Sequence, residues 1–185
     1  RSGIALLIGV AILIVALLFR SSEIEVQLQP AYSGDPDKVT LEPIDLDALD
    51  REIKARKGSV VLVDFWASWC GPCLHDFPKL VALHERYADR GLVCISVSLE
   101  NDPAKDRDAA FNFLKEQHAV FTNYLFTEKN ARGQDGLEQG FGYPGFIPYS
   151  ALFSRAGERL LPPDGKRFTT PQLVAAIEEQ LAKGP

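Results

Sequence analysis

The sequence contains no methionine and only three cysteines. The missing methionine sets the expectation that residues before Arg1 are missing or that the start was replaced. Three cysteines are too few for a small secreted scaffold stapled by disulfides. The chain also has no block of Lys and Arg, and its net charge is −5. Nucleic-acid binding is therefore not expected. Internal repeats and low-complexity runs are missing too. What remains, 185 residues with 46% hydrophobic and 24% charged, fits one globular domain with additions.

The first addition is RSGIALLIGVAILIVALLFR. No charged side chain occurs between Gly3 and Phe19, and an arginine stands at each end. As a helix this stretch would run about 25 Å at 1.5 Å per residue, near the lower limit for a bilayer core of about 30 Å. It is apolar all round, unlike a helix with one face on a core. No A-x-A cleavage pattern follows it, and no cysteine that a lipid could modify. The expectation is an uncleaved signal anchor over 1–20, spanning the membrane through residues 3–19. A cleaved signal peptide and a buried core helix are the alternatives. Weighing the arginines and the acidic Glu23 and Glu25 places the N-terminus in the cytoplasm and the remainder outside. Residues 21–38 read as a tether, ending in the turn chemistry of AYSGDPDK, and 39–185 as one domain.

Within that domain VTLEPI (39–44) reads as a short strand. Asp45 is placed to cap a helix carrying Leu46, Leu49 and Ile53 on one face. SVVLVDFWA is apolar except for Asp64, as in a strand covered on both faces. A helix should run from Pro72 to about Asp89, kinked at Pro78. LVCISVSL is a second buried strand. A helix from Asp102-Pro103 to about His118 and the strand VFTNYLF follow. The segment from Glu128 to Gly145, rich in Gly and polar residues, reads as a long irregular loop with at most one helical turn. YSALFS and RLL, joined by RAGE, form a hairpin, and Thr170-Pro171 opens a last helix. Helices alternating with buried strands imply a mixed α/β sheet covered on both faces.

The chemistry concentrates in WASWCGPC. Cys70 follows a buried strand, and Cys73 falls in the first turn of the next helix. Free N–H groups and the positive end of the dipole there favour a thiolate at Cys70. Cys73, three residues on, can reach back and resolve a mixed disulfide. Gly71 and Pro72 shape that turn, and Pro at a helix start loses no useful hydrogen bond. Zinc would need about four ligands, which one CxxC and scattered histidines (75, 84 and 118) do not offer. Copper held by the two thiolates stays open. A purely structural disulfide over so short a loop would remove little chain entropy. Covalent haem attachment fails because residue 74 is Leu. Cys94, between Val93 and Ile95, reads as an inert core thiol.

VLVDFWASWCGPC, from Val61 to Cys73, is similar to the active-site strand and motif of thioredoxins. CLHDFPKL, the stretch between Glu100 and Phe126, and FIPYSALFSRAGERL resemble the TlpA/ResA-like membrane-anchored thiol-disulfide oxidoreductases. The likeness runs from about Val39 to Leu181. It implies a thioredoxin-like fold, with the branch's extra helix and strand between Glu100 and Phe126, preceded by one transmembrane helix. It implies Cys70 as the attacking thiol and Cys73 as the resolving one. Asp64 matches the buried acid that moves the proton of the resolving cysteine, and Asp76 an acidic residue that tunes the cysteines. Pro148 would be a cis-proline holding substrate backbone together with Ile147, while Trp69, Gly71 and Pro72 complete the contact surface. Phe146 and Tyr149 are bulkier than the usual neighbours of that proline and would reshape the groove. The lysine that partners the buried acid in thioredoxin has no counterpart on LVCISVSL.

The resemblance further implies a reductase of protein disulfides on the periplasmic side of the inner membrane, needing no cofactor and fed by a membrane dithiol carrier. Keeping apocytochrome c cysteines reduced is one such role. A disulfide donor, a copper-binding or assembly chaperone, and a non-catalytic interaction module are the competing expectations.

Overall fold

The computed structural model describes residues 28–128, 131–165 and 167–184. The expected anchor over 1–20 and the first part of the tether lie outside the described residues. Among the described residues no helix is long and apolar enough to cross a membrane.

Six strands form one sheet: β1 (Glu42–Ile44), β2 (Val60–Trp66), β3 (Leu92–Ser98), β4 (Thr122–Phe126), β5 (Tyr149–Phe153) and β6 (Arg159–Leu160). Their spatial order is β1-β4-β3-β2-β5-β6. The first four run parallel to one another, and β5 and β6 are antiparallel additions. The helices are α1 (Leu46–Ala55), α2 (Gly71–Tyr87), α3 (Pro103–Glu116), α4 (Ala131–Phe141) and α5 (Thr170–Ala182). Element α3 with β4 occupies the stretch where an extra helix and strand were expected.

Strand alternation divides the core. On β2, Val60, Leu62 and Trp66 join one cluster with Phe77, Leu80 and Leu83 of α2, Leu114 of α3 and Ile177 of α5. Val61, Val63 and Phe65 join a second cluster with Leu49 and Ile53 of α1 and Leu137 and Phe141 of α4. Helices therefore cover both faces, and the continuous apolar run of β2 follows from that. The period of two also puts Asp64 on the face of Leu62 and Trp66, beneath α2.

Local signals hold at most boundaries. Asp45 caps α1, its side chain accepting from the Ala48 amide at 2.7 Å. Gly91, with φ of 99°, ends the short 3-10 turn after α2. Pro78 sits inside α2 without ending it.

The segment 128–145 departs from expectation, because an eleven-residue helix, α4, replaces the long loop. Two of its three glycines sit where a side chain would clash, while Gly140 faces open space. A Cβ on Gly136 would lie 1.9 Å from Leu46 Cδ2, and one on Gly133 2.2 Å from the Glu128 carbonyl oxygen. Close approach to Leu46 of α1 requires glycine at position 136, where helix propensity argues against it.

Residues 28–38, the described part of the expected tether, lie against the domain. Leu28 is buried. Glu85 on α2 accepts from the amides of Ala31 and Ser33 at 2.7 and 2.9 Å. The Gly34 carbonyl contacts Nδ1 of His118 at 2.7 Å.

Candidate active site

Cys70 is the N-cap of α2, and its Sγ accepts from the Cys73 amide at 3.3 Å. The two cysteines form a disulfide with Cα atoms 5.2 Å apart. The turn before them is closed by the Cys70 amide donating to the Ala67 carbonyl at 3.1 Å. Gly71 and Pro72 are exposed at the start of the helix, where the missing proline N–H costs no hydrogen bond.

A cavity of ≈ 290 Å³ opens behind the disulfide, lined by Asp64, Cys73, Asp76, Pro148, Arg167 and Phe168. Three residues singled out from the sequence, Asp64, Asp76 and Pro148, thus share one space with Cys73. The Ile147–Pro148 peptide is cis. Asp76 is half-exposed and pairs with Lys79 one turn on, at 2.9 Å.

Burial raises the Asp64 carboxyl from 3.8 to about 7, the Asp76 charge pushes it the same way, and a hydrogen bond from Ser150 opposes both. An acid poised near neutrality can take a proton and return it. The part of Asp64 that borders the cavity gives that proton a way out.

A polar row crosses the sheet at Asp64. Asp64 pairs in register with Ser96 on β3 and Ser150 on β5, and Ser96 pairs with Asn123 on β4. Ser96 donates to Asn123 Oδ1 at 2.8 Å, and Asn123 Nδ2 donates to the Ala119 and Phe121 carbonyls at 2.8 Å each. Neither Ser150 nor Asn123 was evident from the sequence. Only the pairing register reveals them, although Ser150 stands two residues after Pro148.

On the other side of the disulfide, Trp69, Tyr143, Phe146 and Ile147 line a second hollow of ≈ 360 Å³. Trp69 and Phe146 are 54% and 57% exposed, unusual for such large apolar side chains. Tyr149 lines not this hollow but the cavity behind the disulfide. It turns into the second core, where its hydroxyl donates to the Phe141 carbonyl at 3.1 Å.

Cys94 is buried, and burial together with the Asp64 charge pushes its thiol far up. Among the described residues no group of three His, Cys, Asp or Glu side chains is placed to hold a metal ion.

Against known proteins, residues 36–135 match the family model described as Redoxin. The chain belongs to the Redoxin family. It is 30% identical over 147 residues to the thiol:disulfide interchange protein DsbE of Pseudomonas aeruginosa, covering 78% of this chain and 76% of that protein. To HelX of Rhodobacter capsulatus, also a thiol:disulfide interchange protein, it is 33% identical over 97 residues, 52% of this chain and 51% of HelX. The chain thus aligns with about half the length of HelX and with about three quarters of that DsbE. Among solved structures, a putative DsbE from Chlorobium tepidum superimposes with a TM-score of 0.51 at 32% identity, covering 68% of this chain and 84% of that one. The thioredoxin-like protein SPOA0173 superimposes with a TM-score of 0.57 at 17% identity, over 70% of this chain and 84% of its own, and shows the fold alone. With the Cys70–Cys73 pair at a helix start and these relatives, this Redoxin-family chain is a thiol-disulfide oxidoreductase.

Proposed function

We propose that the chain reduces disulfides of proteins outside the cytoplasm, Cys70 attacking and Cys73 resolving. The observation that carries this reading is the raised carboxyl of Asp64 sharing a cavity with Cys73.

In the reduced protein the Cys70 thiolate attacks one sulfur of a substrate disulfide. A Cys70–substrate bond forms, and the first substrate sulfur leaves as a thiolate that takes a proton from solvent. Cys73 passes its proton to the Asp64 carboxylate and attacks Cys70 Sγ. The second substrate sulfur leaves as a thiolate and is protonated by the solvent, to which Asp64 releases the proton it took from Cys73. Two electrons and two protons have moved to substrate, and the Cys70–Cys73 disulfide remains. The backbone at Ile147 and Pro148 would hold the substrate strand, with Trp69 beside it. Asp76 would tune the site through its charge on Asp64.

An outward-facing reductase has to be recharged by a second dithiol. A carrier in the membrane would meet a domain tethered there through residues 3–19. Apocytochrome c, whose paired cysteines oxidise readily, belongs to the substrate class this reading implies.

Turnover of a protein disulfide such as insulin tests the proposal together with the reduction potential. C70S should abolish turnover, and C73S should trap the mixed disulfide. A potential near about −270 mV supports the reductase, whereas one near about −120 mV makes the protein a disulfide donor. Full turnover by C70S would overturn the mechanism.

A further inference from the structure

Glu100 lies two residues past the end of β3 and is wholly enclosed, at 0% exposure. A carboxyl group persists in such a place only if its oxygens are satisfied. Its Oε1 accepts from the Ser68 amide at 2.7 Å and from the Ser98 hydroxyl at 2.6 Å. Its Oε2 accepts from the Ser68 hydroxyl at 2.8 Å. Both polar groups of Ser68 that can donate are thus taken by one side chain 32 residues away.

Ser68 stands in the turn that carries the chain from β2 into α2. That turn is held at its start by the Leu99 amide donating to the Trp66 carbonyl at 2.7 Å. It is closed on itself by the Cys70 amide and the Ala67 carbonyl. The next two residues are the exposed Trp69 and the buried Cys70. A clamp on Ser68 therefore sets where the contact tryptophan and the reactive sulfur go.

We infer that Glu100 is a positioning residue, whose two oxygens lock Ser68 so that Trp69 stays turned outward and Cys70 enters the N-terminus of α2 in one geometry. The inference rests on Cys70 being the attacking thiol. Thiol-disulfide exchange needs the incoming sulfur aligned with the bond it breaks, and a misplacement of about 1 Å can cost on the order of a hundredfold in rate.

The chemistry of the clamp separates position from charge. In E100Q the amide oxygen can accept from the Ser68 amide and the Ser98 hydroxyl. Its NH₂ can donate to the Ser68 hydroxyl, which accepts as well as it donates. E100A leaves the Ser68 amide without this acceptor. S68A removes one of the two Ser68 contacts at a half-buried position.

The test compares the full chain with E100A, E100Q and S68A. Insulin turnover, the pH profile of Cys70 alkylation by iodoacetamide and the Trp fluorescence change on reduction are measured for each, with C70S as control. E100A should lower kcat/KM about tenfold or more and shift the alkylation profile, E100Q should recover most of that loss, and S68A should lie between, at about threefold. Wild-type rates and profile in E100A, with only a lower melting temperature, would overturn the inference. E100Q as impaired as E100A would assign the effect to charge and overturn it as well. Should E100A not fold, S68A decides, and a wild-type profile there counts against the clamp. Turnover by C70S would remove the premise, whatever Glu100 does.

Discussion

The Ser150 hydroxyl donates to a carboxyl oxygen of Asp64 at 2.7 Å, across the antiparallel pair β5 and β2. Ser150 follows Pro148 by two residues, so the strand that begins at the proposed substrate ridge also holds the buried acid. This bond favours the charged carboxylate, while burial favours the neutral acid. With the Asp76 charge adding to burial, the balance settles at about 7.

Ser150→Ala removes the one contribution that lowers the Asp64 pKa. The carboxyl should titrate above about 7, and the pH dependence of the resolving step should move to higher pH by the same amount. Rapid-mixing kinetics of mixed-disulfide decay, with carbon NMR of the Asp64 carboxyl, checks this. Two unchanged profiles would show that Ser150 has no hold on the acid.

Asp64→Asn should stabilise the oxidised protein in a pH-dependent way. The unfolded carboxyl ionises near 3.8 and the folded one near 7, so between these values the folded state binds the extra proton. The group's contribution is thus most favourable below about pH 3.8 and is lost as pH rises through 7. The penalty above pH 7 is at most roughly 4 kcal/mol. Denaturant unfolding should find Asp64→Asn more stable than wild type at pH 8 and nearly equal to it at pH 4. The same variant should slow mixed-disulfide decay at neutral pH.

Trp69→Ala deletes a large exposed side chain next to Cys70, the proposed attacking thiol. Little packing is lost, so stability should change by no more than about 0.5 kcal/mol. KM for a protein disulfide should rise about fivefold, with kcat close to wild type. Steady-state kinetics with insulin reads both, and an unchanged KM would remove Trp69 from the contact surface.

Glu85→Gln tests how the segment before the domain is held. Burial alone would raise the Glu85 carboxyl, but hydrogen bonds from Ser33 and Ala31 outweigh it and hold the group below its ordinary value. Its contribution to stability is therefore present above about pH 4.5 and is lost as pH falls through the lower folded value. The amide variant weakens that hold, so limited proteolysis should cut within residues 28–34 sooner than in wild type. An unchanged cutting rate would mean that Leu28 and His118 secure the segment without Glu85.

The sequence by itself determined what is local or periodic. The spacing of Cys70 and Cys73, with Gly71 and Pro72 between them, is a helix-start arrangement that depends on a single turn. The run VVLVDFW marked a strand covered on both faces and broken only by Asp64, and the structure puts α2 and the disulfide over the face that Asp64 shares with Leu62 and Trp66. The Asp45 cap was legible for the same reason, because its acceptor and donor lie three residues apart. Only the tertiary structure decided which groups meet those residues. Ser150 reaches Asp64 from 86 positions away and Glu100 reaches Ser68 from 32, through strand pairing and a chain reversal that no local pattern encodes. The helix α4 was hidden by its own glycines, since propensity counts their cost and not the close approach to Leu46 that requires Gly136. Local chemistry selected the reaction, and long-range packing selected the partners that tune it, because a hydrogen bond across the sheet depends on register rather than on distance along the chain.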